Sequence, residues 1–120
     1  MAQIKAAQST KAGLLQNQIH SVFQYQHATT TGSLQLGFNS IASSGCDCAT
    51  LHYIENDKII EEDQMMLLDM GGKWYGYCAD QALTFPVSGK FTQKQREIYT
   101  AVLEAQKAVK ATIKPGVKWD

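Results

Sequence analysis

The sequence predicts an α+β domain: an antiparallel sheet with helices packed on one face. Three observations carry that expectation. Helical apolar spacing occupies the first 28 or so residues, several short β-type runs follow one another through the middle, and a long helical pattern closes the chain. The length of 120 residues fits one domain whose core needs no disulfide staples.

The elements follow in order. Residues 2 to about 11 carry Ala, Gln, Lys and Ile with few breakers, and Gly13 interrupts them. Leu14, Leu15, Ile19, Val22 and Phe23 then repeat at helical spacing, and the helix is expected to fade near Ala28 into a Thr29–Gly32 loop. Strands are expected over 37–42, 49–54, 65–71 and 77–85, with turns at 43–47, 55–58 and 61–63, and with Pro86 ending the last. Thr92 and Gln95 have capping-box spacing. The helix after them is expected to bury Ile98, Val102, Leu103, Ala105, Val109 and Ile113, with Lys107, Lys110 and Lys114 near its C-terminal end, before Pro115-Gly116 stops it. Trp119 is expected either to pack back on this helix or to fray.

Composition narrows the function. Eleven basic and eleven acidic residues cancel, so neither nucleic acid nor an acidic membrane surface is an expected partner. No apolar run reaches the ~20 residues needed to span a bilayer. An N-terminal apolar signal core is also missing. Three cysteines, Cys46, Cys48 and Cys78, are an odd number, and free thiols in a reducing cytoplasm are the plain expectation. Together with His52 they could be drawn as a zinc site, but the spacing matches no common structural zinc pattern.

The unusual feature is a pair of acids, Asp69 and Asp80, inside runs that otherwise read as strand. Asp is depleted in strands, and like charges on facing positions repel. A hairpin turning at Gly71-Gly72 would separate the two. A turn centred on Trp74-Tyr75 would pair residue 69 with 80, 68 with 81 and 67 with 82, and that register is the favoured one. Facing carboxylates can share a proton, bind a cation, or sit in solvent at strand ends. Trp74, Tyr75 and Tyr77 at the tip either line a pocket or cover the open end of the sheet, and Met65 and Met66 read as strand filler.

The blocks L-H-Y at 51–53, L-L-D-M-G-G at 67–72, A-D-Q-A-L-T-F-P at 79–86, G-K-F-T at 89–92 and K-P-G at 114–116 resemble the pita-bread metallopeptidases. The prolidase (Xaa-Pro dipeptidase) branch is the most similar. The resemblance covers most of the chain, including the helix at 11–23, and corresponds to the first half of the family's catalytic domain. It implies a hydrolase with a divalent metal pair, manganese, cobalt or zinc. Asp69 and Asp80 match two metal-ligand positions, and His52 matches a histidine beside the substrate. Its plain alternative is a half-buried strand histidine with a local hydrogen bond.

The departures matter equally. The family completes its site with a histidine and two glutamates C-terminal to the matched segment. His20 and His27, expected to be solvent-exposed on the second helix, and Glu97 and Glu104, expected on the polar face of the last, do not replace them. After the second aspartate the chain reads Gln81-Ala82-Leu83, so the threonine hydroxyl usual in the family is missing at Ala82. Two expectations follow. One is a prolidase-like half-domain, inactive alone, that acts on peptide substrates when a second half-domain completes it. The other is a non-catalytic relic or interaction module that homodimerises through the surface of the missing half.

Overall fold

In the computed structural model, residues 1–118 are described, and they form two units, Met1–Lys90 and Phe91 onward. In the first unit, helices α1 (Ala2–Ser9) and α2 (Gln16–Thr31) precede β1 (Ile41–Ser44), a 3₁₀ turn (Gly45–Ala49), β2 (Met65–Asp69), β3 (Lys73–Trp74), β4 (Tyr77–Cys78) and β5 (Ala82–Pro86). The sheet is antiparallel in the order β1–β2–β5, and β3–β4 form a separate two-stranded ribbon.

Strand alternation sorts β2 into two faces. Met66 and Leu68 are fully buried and join Ala6, Ile19, Phe23, Ala42, Ile60 and Met70 in one core with α1 and α2. Their neighbours Met65, Leu67 and Asp69 project from the opposite face. The helices of this unit therefore cover one face of the sheet, as expected, and Asp69 belongs to the other.

Several boundaries differ from the sequence expectation. Helix α2 continues through the threonine triplet. The Thr29 hydroxyl donates to the Tyr25 carbonyl (2.9 Å) and Thr31 to that of His27 (2.8 Å), which removes the competition such side chains usually offer the backbone. Gly32, at φ +71°, then supplies the left-handed cap. The expected strand at 37–42 lies later, at Ile41–Ser44, because residues 35–37 instead run against the β2–β3 connection, with Gly37 N–H donating to Gly71 O at 2.8 Å.

Residues 49–54 form no strand. Asn56 takes the role of a partner strand through its side chain: its Oδ1 accepts from Ala42 N–H (2.6 Å) and its Nδ2 donates to Ser40 O (3.0 Å). The expected strand at 77–85 is two strands, β4 and β5, separated at 79–81.

The second unit holds α3 (Gln93–Thr112). Its start is as expected: Gln95 N–H donates to Thr92 Oγ1 (3.3 Å) and Thr92 N–H to Gln95 Oε1 (2.9 Å). Its burial is not. The helix has no buried residue, and Ile98, Val102, Val109 and Ile113 are each more than 60% exposed. The amphipathic pattern is present, but among the described residues of this unit no second helix or strand packs on it. Trp119 lies outside the described residues.

Candidate metal centre

The hairpin that carries the two aspartates turns at Tyr75-Gly76. Both residues have positive φ, +48° and +85°, as the tightest hairpin turns require. The favoured register is thereby corrected: Asp69 pairs with Ala82, Leu68 with Leu83 and Leu67 with Thr84. Moving the turn one residue from Trp74-Tyr75 changes every facing pair but keeps each side chain on its face, because the shift between partners is two residues.

The segment 79–81 nevertheless stays alongside 70–72. Met70 N–H donates to Gln81 O (3.1 Å) and Ala79 N–H to Gly72 O (3.0 Å). Asp80 thus falls across from Gly71, diagonal to Asp69 and on the same side of the sheet. Gly71 permits this approach, since a Cβ there would lie 1.7 Å from the Ala79 carbonyl oxygen. A Cβ on Gly72 would strike the His27 ring at 2.2 Å. The Gly-Gly pair is therefore a close-packing device rather than a turn.

The two carboxylates act on each other electrostatically. The Asp69 carboxyl is pushed above its ordinary range, first by burial, then by the charge of Asp80 and its hydrogen-bonding proximity, with His52 pulling the other way. Asp69 Oδ1 is buried and has no hydrogen-bond partner in the protein. Asp80 is exposed. His52 sits in an exposed turn after the 3₁₀ segment, at φ +53°, rather than in a strand, and it lies close enough for its charge to act on Asp69.

These donors fit a hard divalent cation. Carboxylate oxygens suit such ions, an orphaned buried oxygen gains a partner, and a cation removes the repulsion between the two acids. They fit as part of a cage only: no group of three or more His, Cys, Asp or Glu among the described residues is placed to hold a metal.

The other candidates are placed elsewhere. His27 is buried, stacked on Phe23, with Nε2 3.0 Å from Gln35 O. His20 is half-buried, and burial lowers its pKa. Both depart from the exposed state expected, because α2 lies against the first unit's core along more of its circumference than its apolar residues mark. Glu97 and Glu104 are exposed, as expected.

Cys46, Cys48 and Cys78 are free, and Cys48 donates to Ser43 O (3.4 Å) while burial pushes its thiol up. Trp74 and Tyr77 line a cavity of about 460 Å³ with Phe23, His27 and Met70, and neither aspartate borders it.

Sequence reasoning missed Gln3. This buried residue of α1 sends both N–H bonds of its Nε2 to backbone carbonyls, Leu68 O in β2 (2.9 Å) and Gln81 O just before β5 (2.7 Å). Nothing in the local pattern marked it, since Gln is an ordinary helix-surface residue.

Comparison with known proteins gives a consistent result. The profile of metallopeptidase family M24 matches residues 1–120. An uncharacterised peptidase of Saccharomyces cerevisiae is 45% identical over 103 residues, spanning 86% of this chain and 19% of its own length. The Xaa-Pro dipeptidase of Mus musculus is 36% identical over 115 residues, 92% of this chain and 23% of its own. Among solved structures, the low-pH form of Escherichia coli aminopeptidase P superposes with a TM-score of 0.90 at 34% identity, covering 97% of this chain and 26% of that one. The zinc-substituted enzyme in complex with product gives the same values. The chain thus spans about a quarter or less of the length of these relatives.

Proposed function

The chain belongs to metallopeptidase family M24, and on that premise we propose that it is one wall of a two-metal peptidase site. Its substrates, once the opposite wall is supplied, are peptides of the Xaa-Pro kind, the class named for its dipeptidase relative. The carrying observation is the convergence of Asp69 and Asp80 around an oxygen that lacks a protein partner.

Asp69 and Asp80 would hold the metal pair, whether manganese, cobalt or zinc. When bound, such ions act as Lewis acids and make water a usable nucleophile near neutral pH. To His52 we assign substrate contact rather than metal ligation, a reading supported by its exposure and by its charge acting on Asp69. The three unpaired cysteines support a reducing, cytoplasmic setting. No helix among the described residues is long and apolar enough to cross a membrane.

Alone, the chain should be inactive, because two carboxylates make a poor cage. Isothermal titration with Mn²⁺ should show weak binding, and turnover of Xaa-Pro dipeptides should be undetectable until a polypeptide carrying the remaining ligands is added. Robust turnover by the purified chain would refute this.

A second reading is favoured by the exposed stripe Ile98, Val102, Val109 and Ile113 on α3. In it the chain is a non-catalytic relic or interaction module that homodimerises through the surface of the missing half. Light scattering over a wide concentration range decides: a monomer throughout excludes it.

A further inference from the structure

We propose that Gln3 is a positioning residue that sets the separation of the two aspartates. The proposal rests on the reading that Asp69 and Asp80 share a cation. Gln3 Nε2 carries two protons, and each is used on a different backbone segment. One goes to the carbonyl of Leu68, the residue before Asp69, and the other to the carbonyl of Gln81, the residue after Asp80. A single nitrogen therefore ties together the two backbone points that flank the acids.

The clamp is needed where it sits. The regular β2–β5 pairing ends at Asp69–Ala82, and residues 79–81 belong to no strand. Past that point the described backbone bonds from 79–81 to β2 and its extension are those of Met70 to Gln81 O and Ala79 to Gly72 O. The two acids repel, which pushes this segment outward. Gln3 opposes that displacement from the helix side: it is 6% exposed, and its helix is packed into the core through Ala6. Gln81 O accepts from both Gln3 and Met70, so its two acceptor positions are filled and the segment is held from the helix side as well as from the strand side; without Gln3 only the Met70 bond holds Gln81 in place.

The test uses the whole chain and Mn²⁺ as probe, followed by electron paramagnetic resonance. Gln3→Met keeps the length and removes both donors. Gln3→Asn keeps the amide but is one methylene short of spanning both carbonyls. Each should weaken Mn²⁺ affinity about tenfold, the scale on which residues that orient metal ligands act. Ile19→Val, a core change of modest cost, should leave it unchanged and so controls for lost stability.

A second readout needs no metal. Exchange of the Met70 amide should accelerate in Gln3→Met relative to that of Ile60, whose amide is bonded to Leu14 O at 2.8 Å. Unchanged Mn²⁺ affinity or unchanged relative Met70 exchange in Gln3→Met would overturn this proposal while leaving the cation reading in place. Unchanged affinity in Asp69→Asn and Asp80→Asn would overturn the cation reading and the proposal with it.

Discussion

Two polar clusters in the first unit are built from similar residues and differ in one respect. Around Gln16 every polar side chain is paired. Its amide donates to Ser44 Oγ (3.0 Å) and Asp47 Oδ2 (3.4 Å), and its carbonyl oxygen accepts from Tyr53 OH (2.8 Å) and Lys58 N–H (3.3 Å). Asp47 also pairs with Lys58, and that contact holds its carboxyl below the ordinary range. Around Asp69 the pairing is incomplete: a buried oxygen has no partner, the nearest carboxylate is a like charge, and the carboxyl is pushed up. A satisfied buried network holds a fold together. An unsatisfied one costs stability, and where its centre is a carboxylate held beside a like charge it marks a candidate ligand site.

If that contrast is right, removing each centre should act in opposite directions. The largest effect belongs to Gln16→Leu. It strands Ser44 Oγ and the Lys58 N–H and leaves the Tyr53 hydroxyl only its longer bond to Asp57 Oδ1 (3.3 Å), and should cost about 2 kcal/mol in urea unfolding. Asp69→Asn should do the reverse, raising the stability of the metal-free chain by about 1 kcal/mol while removing its Mn²⁺ binding. A destabilising Asp69→Asn would break the comparison.

A smaller change sharpens it. Ala82 faces Asp69 across the ladder, where it offers no hydroxyl. Ala82→Thr should tighten Mn²⁺ binding several-fold if the facing hydroxyl orients the carboxylate, a modest second-sphere gain. An unchanged titration would show that Ala82 is neutral to the site.

The smallest expected effect is in the pH profile. Asp47, with its carboxyl held low, contributes stability above its unfolded value of about 4, and that contribution is lost as pH falls through the lower folded value. Asp69, pushed up, has the opposite sign. Its cost is present at neutral pH and is relieved as pH falls through the raised value toward about 4. Stability curves of Asp47→Asn and Asp69→Asn should therefore lie on opposite sides of the wild-type curve at neutral pH, the first below and the second above, and converge on it on acidification. Parallel curves would contradict the assignment.

Local chemistry was legible in the sequence, and tertiary substitution was not. The Thr92–Gln95 capping box, the Gly13 break and the strand beginning at Met65 follow from rules that act over a few residues, and all appear in the structure. The strand expected at 49–54 failed because a side chain, Asn56, satisfies β1 in place of a neighbouring strand, and no periodicity encodes that. Hairpin register failed by one turn position because both Trp74-Tyr75 and Tyr75-Gly76 can be drawn, and the positive φ at Tyr75 is not a tyrosine habit.

The aspartates still converge because the error preserved parity. Burial within the α3 unit failed for a different reason: an amphipathic pattern states that a helix has an apolar side, not what covers it. Gln3 was invisible because its role depends on carbonyls 65 and 78 residues away.

The central claim is that Asp69 and Asp80 form one cation-binding wall. Mn²⁺ titration of the isotopically labelled chain, followed by paramagnetic broadening of amide signals, tests it most directly. Broadening should be strongest around residues 69 and 80, extend to His52, and vanish in Asp69→Asn. Broadening centred on another part of the chain, or retained in that variant, would contradict the account.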